Sequence, residues 1–482
     1  MNEQQIASIV EQVIKGMAAN GTTPKTSGKY KGVFNTMEEA LEAAKTAYKL
    51  FRGYSLEQRE NMITKIREKI MAEAETMAKM GVEETGMGRV TDKIIKHTLV
   101  AEKTPGTEDL QPRAYSGDTG LTLVEMAPYG LIGSITPTTN PSETVLCNSI
   151  GMLAAGNCVI FNPHPRAINT SNYAVDLINR AVLEAGGPEN VVVSVVKPTL
   201  KTADAMIQCK DVKLLVATGG PGVVRTLLSS GKKAIGAGAG NPPVIVDETA
   251  DIRKAAKDIV AGASFDNNLP CIAEKECFAV ASIKDELIHY MTQNGAYLLT
   301  KQSDIDKLVK VALTEEECKQ GEGCTPRPKR KLMLNKDWVG KDANLFLEAI
   351  GITDAPKDTR LIICETTEDH PFVCEELMMP ILPIVSVKDV DEAIRLGVKY
   401  EHGNRHSAHM HSKNVDNLTK FAREVETTIF VKNAPSYAGI GAGGEGHTTF
   451  TIAGPTGEGI TSARSFTRQR RWGLVDGFRL IS

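Results

Sequence analysis

The chain lacks a surplus of either charge. Over 482 residues the formal net charge is −3, which leaves no electrostatic footprint for a nucleic-acid partner. It lacks any apolar run approaching the length of a membrane span, and it lacks a secretory signal. It also lacks a CxxC pair. Nine cysteines stand at 147, 158, 209, 271, 277, 318, 324, 364 and 374. Their odd number and irregular spacing support neither a disulfide framework nor a zinc site, so no metal is expected and a reducing cytoplasm fits best. What remains is ordinary globular composition, 41% hydrophobic and 24% charged. The chain is too long for one core, so two or three domains are expected.

Residues 261–277, AGASFDNNLPCIAEKEC, stand out. A helical pattern ends near Ala263, a polar turn Asp266-Asn267-Asn268 follows, and Pro270 precedes Cys271. The chain then enters a strand at Glu276–Val280. Proline fixes its own φ and biases Leu269 toward an extended conformation, so one thiol sits on a stiff turn. Such a thiol is a candidate nucleophile, and equally a small buried hydrophobe.

Residues 1–17 carry a helical stripe of Ile6, Ile9, Val10, Val13, Ile14 and Met17. The stretch 18–32, rich in Gly, Thr, Lys and Pro, reads as a tether. A short amphipathic helix on a tether must dock on its own body or on a partner. Capping boxes at Thr36–Glu39 and Ser55–Gln58 then open two helices, the second running to about Met80. Residues 114–126 read as extended chain. From 131 onward strand, loop and helix alternate, with strands at 131–135, 158–161, 191–195, 214–217 and 244–246 and a helix at 169–185. This predicts an α/β fold with a parallel sheet covered on both faces, binding ligands beyond the carboxyl ends of its strands. The turn Thr218-Gly219-Gly220-Pro221-Gly222, leading into a helix at 223–228, suits a pyrophosphate or simply a tight connection. Gly439–Gly444 matches GxGxxG, but no helix follows it, so it reads as a loop folding closely over something. After 246 the alternation resumes, with a helix at 251–263, a strand at 277–282, a helix near 284–298 and a basic loop at Arg327–Lys331. Asn140, in the loop Thr136–Ser142 after the first strand, is placed to donate to an oxyanion or to cap a helix.

The stretches ITPTTNPSE (135–143), FNPHP (161–165), ATGGPG (217–222), SGKKAIGAGAGNPPVIVDETAD (230–251), FDNNLPCIAEKE (265–276), EHGNRHSAHMHS (401–412) and GIGAGGEGHTTFTIAGPTGEG (439–459) together resemble the aldehyde dehydrogenase superfamily. The resemblance is closest to the coenzyme A-acylating branch of bacterial microcompartments, and it covers nearly the whole chain. It implies the aldehyde dehydrogenase fold: a Rossmann-like dinucleotide-binding domain at 34–246 with flap strands near 110–128, a catalytic domain at 247–435, and a return to the cofactor domain with an oligomerisation tail at 436–482. Residues 1–20 would be an encapsulation helix and 21–33 its linker. Cys271 would be the nucleophile and Asn140 the oxyanion donor. Thr138, Asn162, His164, Thr218, Gly219 and Gly220 would line the NAD site, with Glu376 holding the nicotinamide ribose.

Two departures from the hydrolytic branch matter. Ala237 stands where that branch carries its general-base glutamate, and a thiol acceptor needs less activation than water. Asn162 and Pro165 replace the lysine and glutamate that grip the adenosine ribose, so NAD rests on the branch alone. The resemblance thus implies that a short aldehyde, propanal ahead of acetaldehyde, is oxidised to an acyl-CoA through a Cys271 thioester, in a homodimer or homotetramer. A shell or cargo protein would receive residues 1–17. Surface positions are expected for most histidines of 401–412. The competing readings are a hydrolytic enzyme giving the free acid, which Ala237 opposes, and an idle scaffold protein, which the intact NNLPC and PTTNP stretches oppose.

Overall fold

The computed structural model describes residues 28–317, 330–479 and 481. The expected N-terminal helix, most of its linker, Cys318, Cys324 and the start of the basic loop lie outside the described residues. Among the described residues no helix is long and apolar enough to cross a membrane.

Helices α1 (Met37–Phe51) and α2 (Leu56–Thr85) open as their capping boxes predict. Thr36 Oγ1 accepts from the Glu39 amide while Glu39 returns a carboxylate oxygen to the Thr36 amide, both at 3.2 Å. Helix α2 runs past Met80 because Gly81 is tolerated inside it. The stop comes at Gly86, whose φ of +67° closes the helix in the left-handed region. Helix α3 (Val90–Lys103) packs back against α2.

Two parallel sheets follow, their strands labelled here in chain order. The first contains β1 (Val33–Phe34), β2 (Leu131–Ile135), β3 (Cys158–Asn162), β4 (Val192–Val195), β5 (Val212–Thr218) and β6 (Lys233–Ala237), in the spatial order β1-β4-β3-β2-β5-β6. Strands such as Cys158–Asn162 are buried throughout, as a parallel strand covered on both faces must be. The chain moves outward from β2 through helix α4 (Pro141–Ala154), β3, α5 (Ile168–Glu184), β4 and α6 (Leu200–Gln208). It then returns to lay β5 on the other side of β2. The gap between the ends of β2 and β5 is therefore the topological switch point. Helix α7 (Pro221–Leu228) links β5 to β6.

The second sheet holds β7 (Pro243–Val246), β8 (Glu276–Val280), β9 (Ala296–Leu299), β10 (Leu361–Thr366), β11 (Ile381–Val387), β12 (Ser407–His411) and β13 (Ile429–Lys432). Their order is β9-β10-β11-β8-β7-β12-β13. This corrects one boundary. The strand at 244–246, expected to end the dinucleotide-binding domain, lies near the middle of the second sheet, between β8 and β12. The small residues Gly236–Asn241 that lead into it include the last two residues of β6 and the crossover to the second sheet. Helix α8 (Ile252–Ser264) joins β7 to the Cys271 turn. The expected helix near 284–298 is instead Ala281–Gln293 followed by β9, because Gly295 at φ +94° reverses the chain.

A third, antiparallel sheet joins 113–117, 120–128 and 467–475. The extended stretch near 114–126 and the C-terminal tail thus meet in one flap, with Tyr115, Trp472, Leu474 and Val475 exposed.

Candidate active site

The carboxyl edge of the first sheet supplies three loops, of which those after β2 and β5 flank the switch point. Ile135, Asn162 and Ala217 lie side by side in register across β2, β3 and β5. Thr138 and Asn140 follow the first, His164 follows the second, and Thr218, Gly219 and Gly220 follow the third. Neither Gly219 nor Gly220 has a positive φ, and a side chain added at either would meet nothing within 4 Å. Gly222 is equally open. The polypeptide itself therefore does not require glycine at these three positions, whereas a phosphate lying against the backbone at the start of α7 would. Asn162 is buried and its Oδ1 accepts from Thr202 Oγ1 at 2.6 Å. His164 Nδ1 accepts from the Arg166 amide at 3.1 Å. Thr218 Oγ1 lies 2.8 Å from Thr451 Oγ1, which ties this edge to the C-terminal return of the chain.

The second sheet contributes its amino edge. Glu376, Cys271, Gly240 and His406 precede four neighbouring strands, β11, β8, β7 and β12. A side chain at Gly240 would begin 2.8 Å from the His406 ring and 2.9 Å from the Cys271 carbonyl, so these three segments close on one another. Cys271 packs against Leu99, Ile272, Ile429, Val431, Ile440 and Ile452. The loop 439–444 closes over this cluster as expected, held by Lys103 Nζ on the carbonyls of Gly441 and Gly444 at 2.6 and 2.8 Å.

The turn before Cys271 has three successive left-handed residues, Asp266, Asn267 and Asn268, at φ 47°, 56° and 65°. Asp and Asn tolerate this region best, yet three in a row persist only if the surroundings hold them. The Asp266 amide donates to Asp92 Oδ2, and Asp266 Oδ1 accepts from the Arg89 amide. Asn267 Nδ2 donates to the Gly340 carbonyl, and Asn268 Nδ2 donates to the carbonyls of Ala263 and Glu274. The buried Lys275 ammonium closes the turn from behind. It donates to the Asn268 carbonyl at 2.8 Å, to Asn268 Oδ1 at 2.5 Å and to the Pro270 carbonyl at 3.3 Å.

The thiol is partly exposed but its surroundings are desolvated. Burial first, then the Glu376 charge, push Cys271 up to about 12, against the opposing pull of Lys275. Burial likewise lifts the Glu376 carboxyl to about 7, with Lys275 and the Gly240 backbone drawing it down.

Asn140 occupies the N-cap position of α4, yet its side chain makes no capping hydrogen bond. Its Oδ1 instead accepts from Lys96 Nζ at 2.6 Å. Lys96, Lys93 and Lys275, all buried, are absent from the sequence-based site, because a lysine in a helix or loop normally reads as solvated. The histidines need a correction in the same sense. His406, His409 and His411, expected at the surface, are buried and only His402 is exposed. β12 lies in the sheet interior, between β7 and β13, and segments from elsewhere in the chain cover the rings: His409 Nε2 lies 2.9 Å from the Ile272 carbonyl, and the His406 ring lies against Gly240. Burial lowers all three below the usual histidine range. Among the described residues no group of three or more His, Cys, Asp or Glu side chains is arranged to hold a metal ion.

A model of the aldehyde dehydrogenase family matches residues 30–320 and 359–466. The chain is 46% identical to the acetylating acetaldehyde dehydrogenase EutE of Escherichia coli over 482 residues, covering 100% of both chains. The structure of a propionaldehyde dehydrogenase from the Clostridium phytofermentans fucose utilisation bacterial microcompartment superimposes with a TM-score of 0.89 at 57% identity, covering 94% of this chain and 100% of that one. The Rhodopseudomonas palustris propionaldehyde dehydrogenase with bound propionyl-CoA superimposes with a TM-score of 0.87 at 54% identity, covering 92% and 95%. Two parallel sheets facing each other across a switch-point cleft, one thiol on a strained turn between them, and a match spanning both sheets place this chain in the aldehyde dehydrogenase family.

Proposed function

We propose that the protein is a CoA-acylating aldehyde dehydrogenase that converts a short aliphatic aldehyde and coenzyme A into an acyl-CoA. The observation that carries this reading is the pairing of the Cys271 turn with an Asn140 amide whose oxygen is already occupied by Lys96. An ammonium has donors only, so the atom facing it must be the carbonyl oxygen. Asn140 Nδ2 donates one hydrogen to Thr139 Oγ1 at 3.3 Å, and its second N–H is left for a ligand.

In the proposed reaction the Cys271 thiol first gives up its proton to solvent, the thiolate attacks the aldehyde carbon, and the carbonyl oxygen gains the negative charge. Asn140 Nδ2 and the Cys271 amide donate to that oxygen. A bound NAD would supply the hydride acceptor needed for the thiohemiacetal to become a Cys271 thioester. The open backbone at Gly219, Gly220 and Gly222 suits its pyrophosphate, Thr138, Asn162, His164 and Thr218 line the same edge, and Glu376 is the residue for its nicotinamide ribose. The coenzyme A sulfur then attacks the thioester carbon, the C–S bond to Cys271 breaks, and the protein thiol is restored. Ala237, buried at the end of β6, brings no carboxylate to activate water, which favours the thiol as acceptor. The apolar cluster around Cys271 suits a short alkyl chain. Propanal is our first choice, on the two solved propionaldehyde dehydrogenases at 57% and 54% identity; acetaldehyde is close behind, since the acetylating acetaldehyde dehydrogenase is 46% identical and the CoA-propanoylating propanal dehydrogenase 44%.

The test is NADH formation from propanal with and without coenzyme A, with product mass identified. Turnover dependent on coenzyme A and yielding propionyl-CoA is expected. Propionate formed without coenzyme A would replace this reading by the hydrolytic one.

We further propose that residues 1–17 direct the enzyme into a microcompartment by laying their apolar stripe in a groove of a shell or cargo protein. An active chain lacking residues 1–20 should fail to co-purify with shells. The exposed apolar residues of the flap would be covered in a homodimer or homotetramer, which light scattering distinguishes.

A further inference from the structure

The cleft is bridged by a buried charge cluster that the reaction as written does not use. Lys93 and Lys96 lie one turn apart on α3, 2% and 0% exposed. Between them lie Glu143 of α4 and Asp266 of the Cys271 turn, both fully buried. Two ammonium groups thus face two carboxylates, a balanced set, which buried charges need.

Lys96 differs from Lys93 in what it reaches. Its Nζ donates to Asn140 Oδ1 at 2.6 Å and to Asp266 Oδ2 at 2.5 Å, and pairs with Glu143 Oε1 at 2.9 Å. Lys93 Nζ reaches Asp266 at 3.1 Å and the Thr139 carbonyl at 3.3 Å, with no contact to the Asn140 side chain. One ammonium therefore holds a side chain from the carboxyl edge of the first sheet and a side chain from the strained turn at the amino edge of the second. The next residue along the same face of α3, Leu99, packs in the cluster that contains Cys271.

We propose that Lys96 is a positioning residue for acylation: it locks the Asn140 amide with its N–H₂ end toward the reacting oxygen and, through Asp266, fixes that amide relative to the Cys271 turn. Without Lys96 the remaining restraint on the amide is its 3.3 Å bond to Thr139 Oγ1, a hydroxyl that can donate as well as accept and so tolerates either orientation; the flipped form presents a carbonyl oxygen to a developing negative charge. This inference rests on the oxyanion role proposed for Asn140.

The test is a double-mutant cycle on the single-turnover NADH burst with propanal, alongside thermal melting and fluorescence titration of NAD. Asn140→Ala is expected to slow the burst about 10²- to 10³-fold. Lys96→Met is expected to slow it at least about tenfold with NAD affinity unchanged, because only the transition state loses a donor. In the Asn140→Ala background, Lys96→Met should add less than about twofold, since there is no amide left to orient. A purely structural ammonium would cost the same in both backgrounds, and that additive result overturns the proposal. An unslowed burst in Lys96→Met overturns it as well. An unslowed burst in Asn140→Ala rejects the oxyanion reading itself, and the Lys96 proposal with it. Lys96→Met leaves two buried carboxylates facing one lysine. If it fails to fold, the same cycle is run with Lys96→Met/Glu143→Gln against Glu143→Gln, which removes one charge of each sign.

Discussion

The two sheets meet the same cleft in opposite ways. The first presents its carboxyl edge with small, open residues: Gly219, Gly220 and Gly222 have empty space where side chains would start. The second presents its amino edge with crowded, charged ones: Lys275 threads the Cys271 turn, Glu376 lies within electrostatic reach of the thiol, and Gly240 is hemmed in by the His406 ring and the Cys271 carbonyl. An edge built to receive a ligand is loosely filled by its own atoms. An edge built to hold reacting groups is over-determined by them.

The sharpest break of this contrast comes from the proposed nucleophile. Cys271→Ala should lower acyl-CoA formation by at least about 10⁴-fold while NAD binding, measured by fluorescence, persists on the other edge. If NAD binding is lost as well, the two edges are not separable.

Next in size is a pair of glycine substitutions. Gly219→Val should raise the KM for NAD at least about tenfold and leave the melting temperature unchanged, because the added side chain meets only absent ligand. Gly240→Ala should lose both activity and stability, since its methyl would collide with His406 and with backbone at Cys271. Equal stability losses in the two variants would erase the contrast.

A smaller effect tests the electrostatics of the second edge. Glu376→Gln removes a negative charge that raises the thiol, so the Cys271 pKa should fall. Iodoacetamide should then alkylate the free enzyme faster at a given pH below that pKa. An unchanged alkylation profile would place Glu376 beyond the reach of the thiol.

The smallest effect is on stability. Glu274 is fully buried, and desolvation raises its carboxyl from 4.5 to about 7, although the Ser436 amide donates to it. The folded state therefore holds this proton more tightly than the unfolded chain does. Its contribution favours folding below about 4.5 and is lost as pH rises through about 7. Glu274→Gln should flatten the fall of melting temperature across that window. An identical slope in the variant would assign the fall to other groups.

Much of this was legible from local signals. The capping boxes, the strand positions from 131 to 217, the location of the Cys271 turn and the glycine turn at 218–222 depend on residues a few positions apart. One detail of that Cys271 turn differs: Leu269, expected to be extended before Pro270, is helical at φ −68° and ψ −36°, because the bonds that hold the turn outweigh the local bias. The flap was legible in outline, as extended chain near 114–126 and a C-terminal tail. The strand at Pro243–Val246 was assigned to the wrong sheet, because an apolar run of four states that it is buried but not beside what. The histidines of 401–412 were misread for a related reason: polar side chains on a strand look exposed until segments distant in the chain pack on the faces of the sheet.

The sequence by itself determined where the chemistry-bearing residues lie along the chain and which turns hold them, because spacing and turn propensity act over neighbouring residues; the family followed from the resemblance of its long stretches, not from spacing. Only the tertiary structure decided which way the Asn140 amide points, that Lys96, Lys93 and Lys275 are buried, and that the second sheet meets the cleft by its amino edge. Lys96 finds its partners 44 and 170 residues away. Desolvation and charge pairing are properties of the atoms that surround a side chain in space, and those atoms are supplied by segments that no local pattern connects.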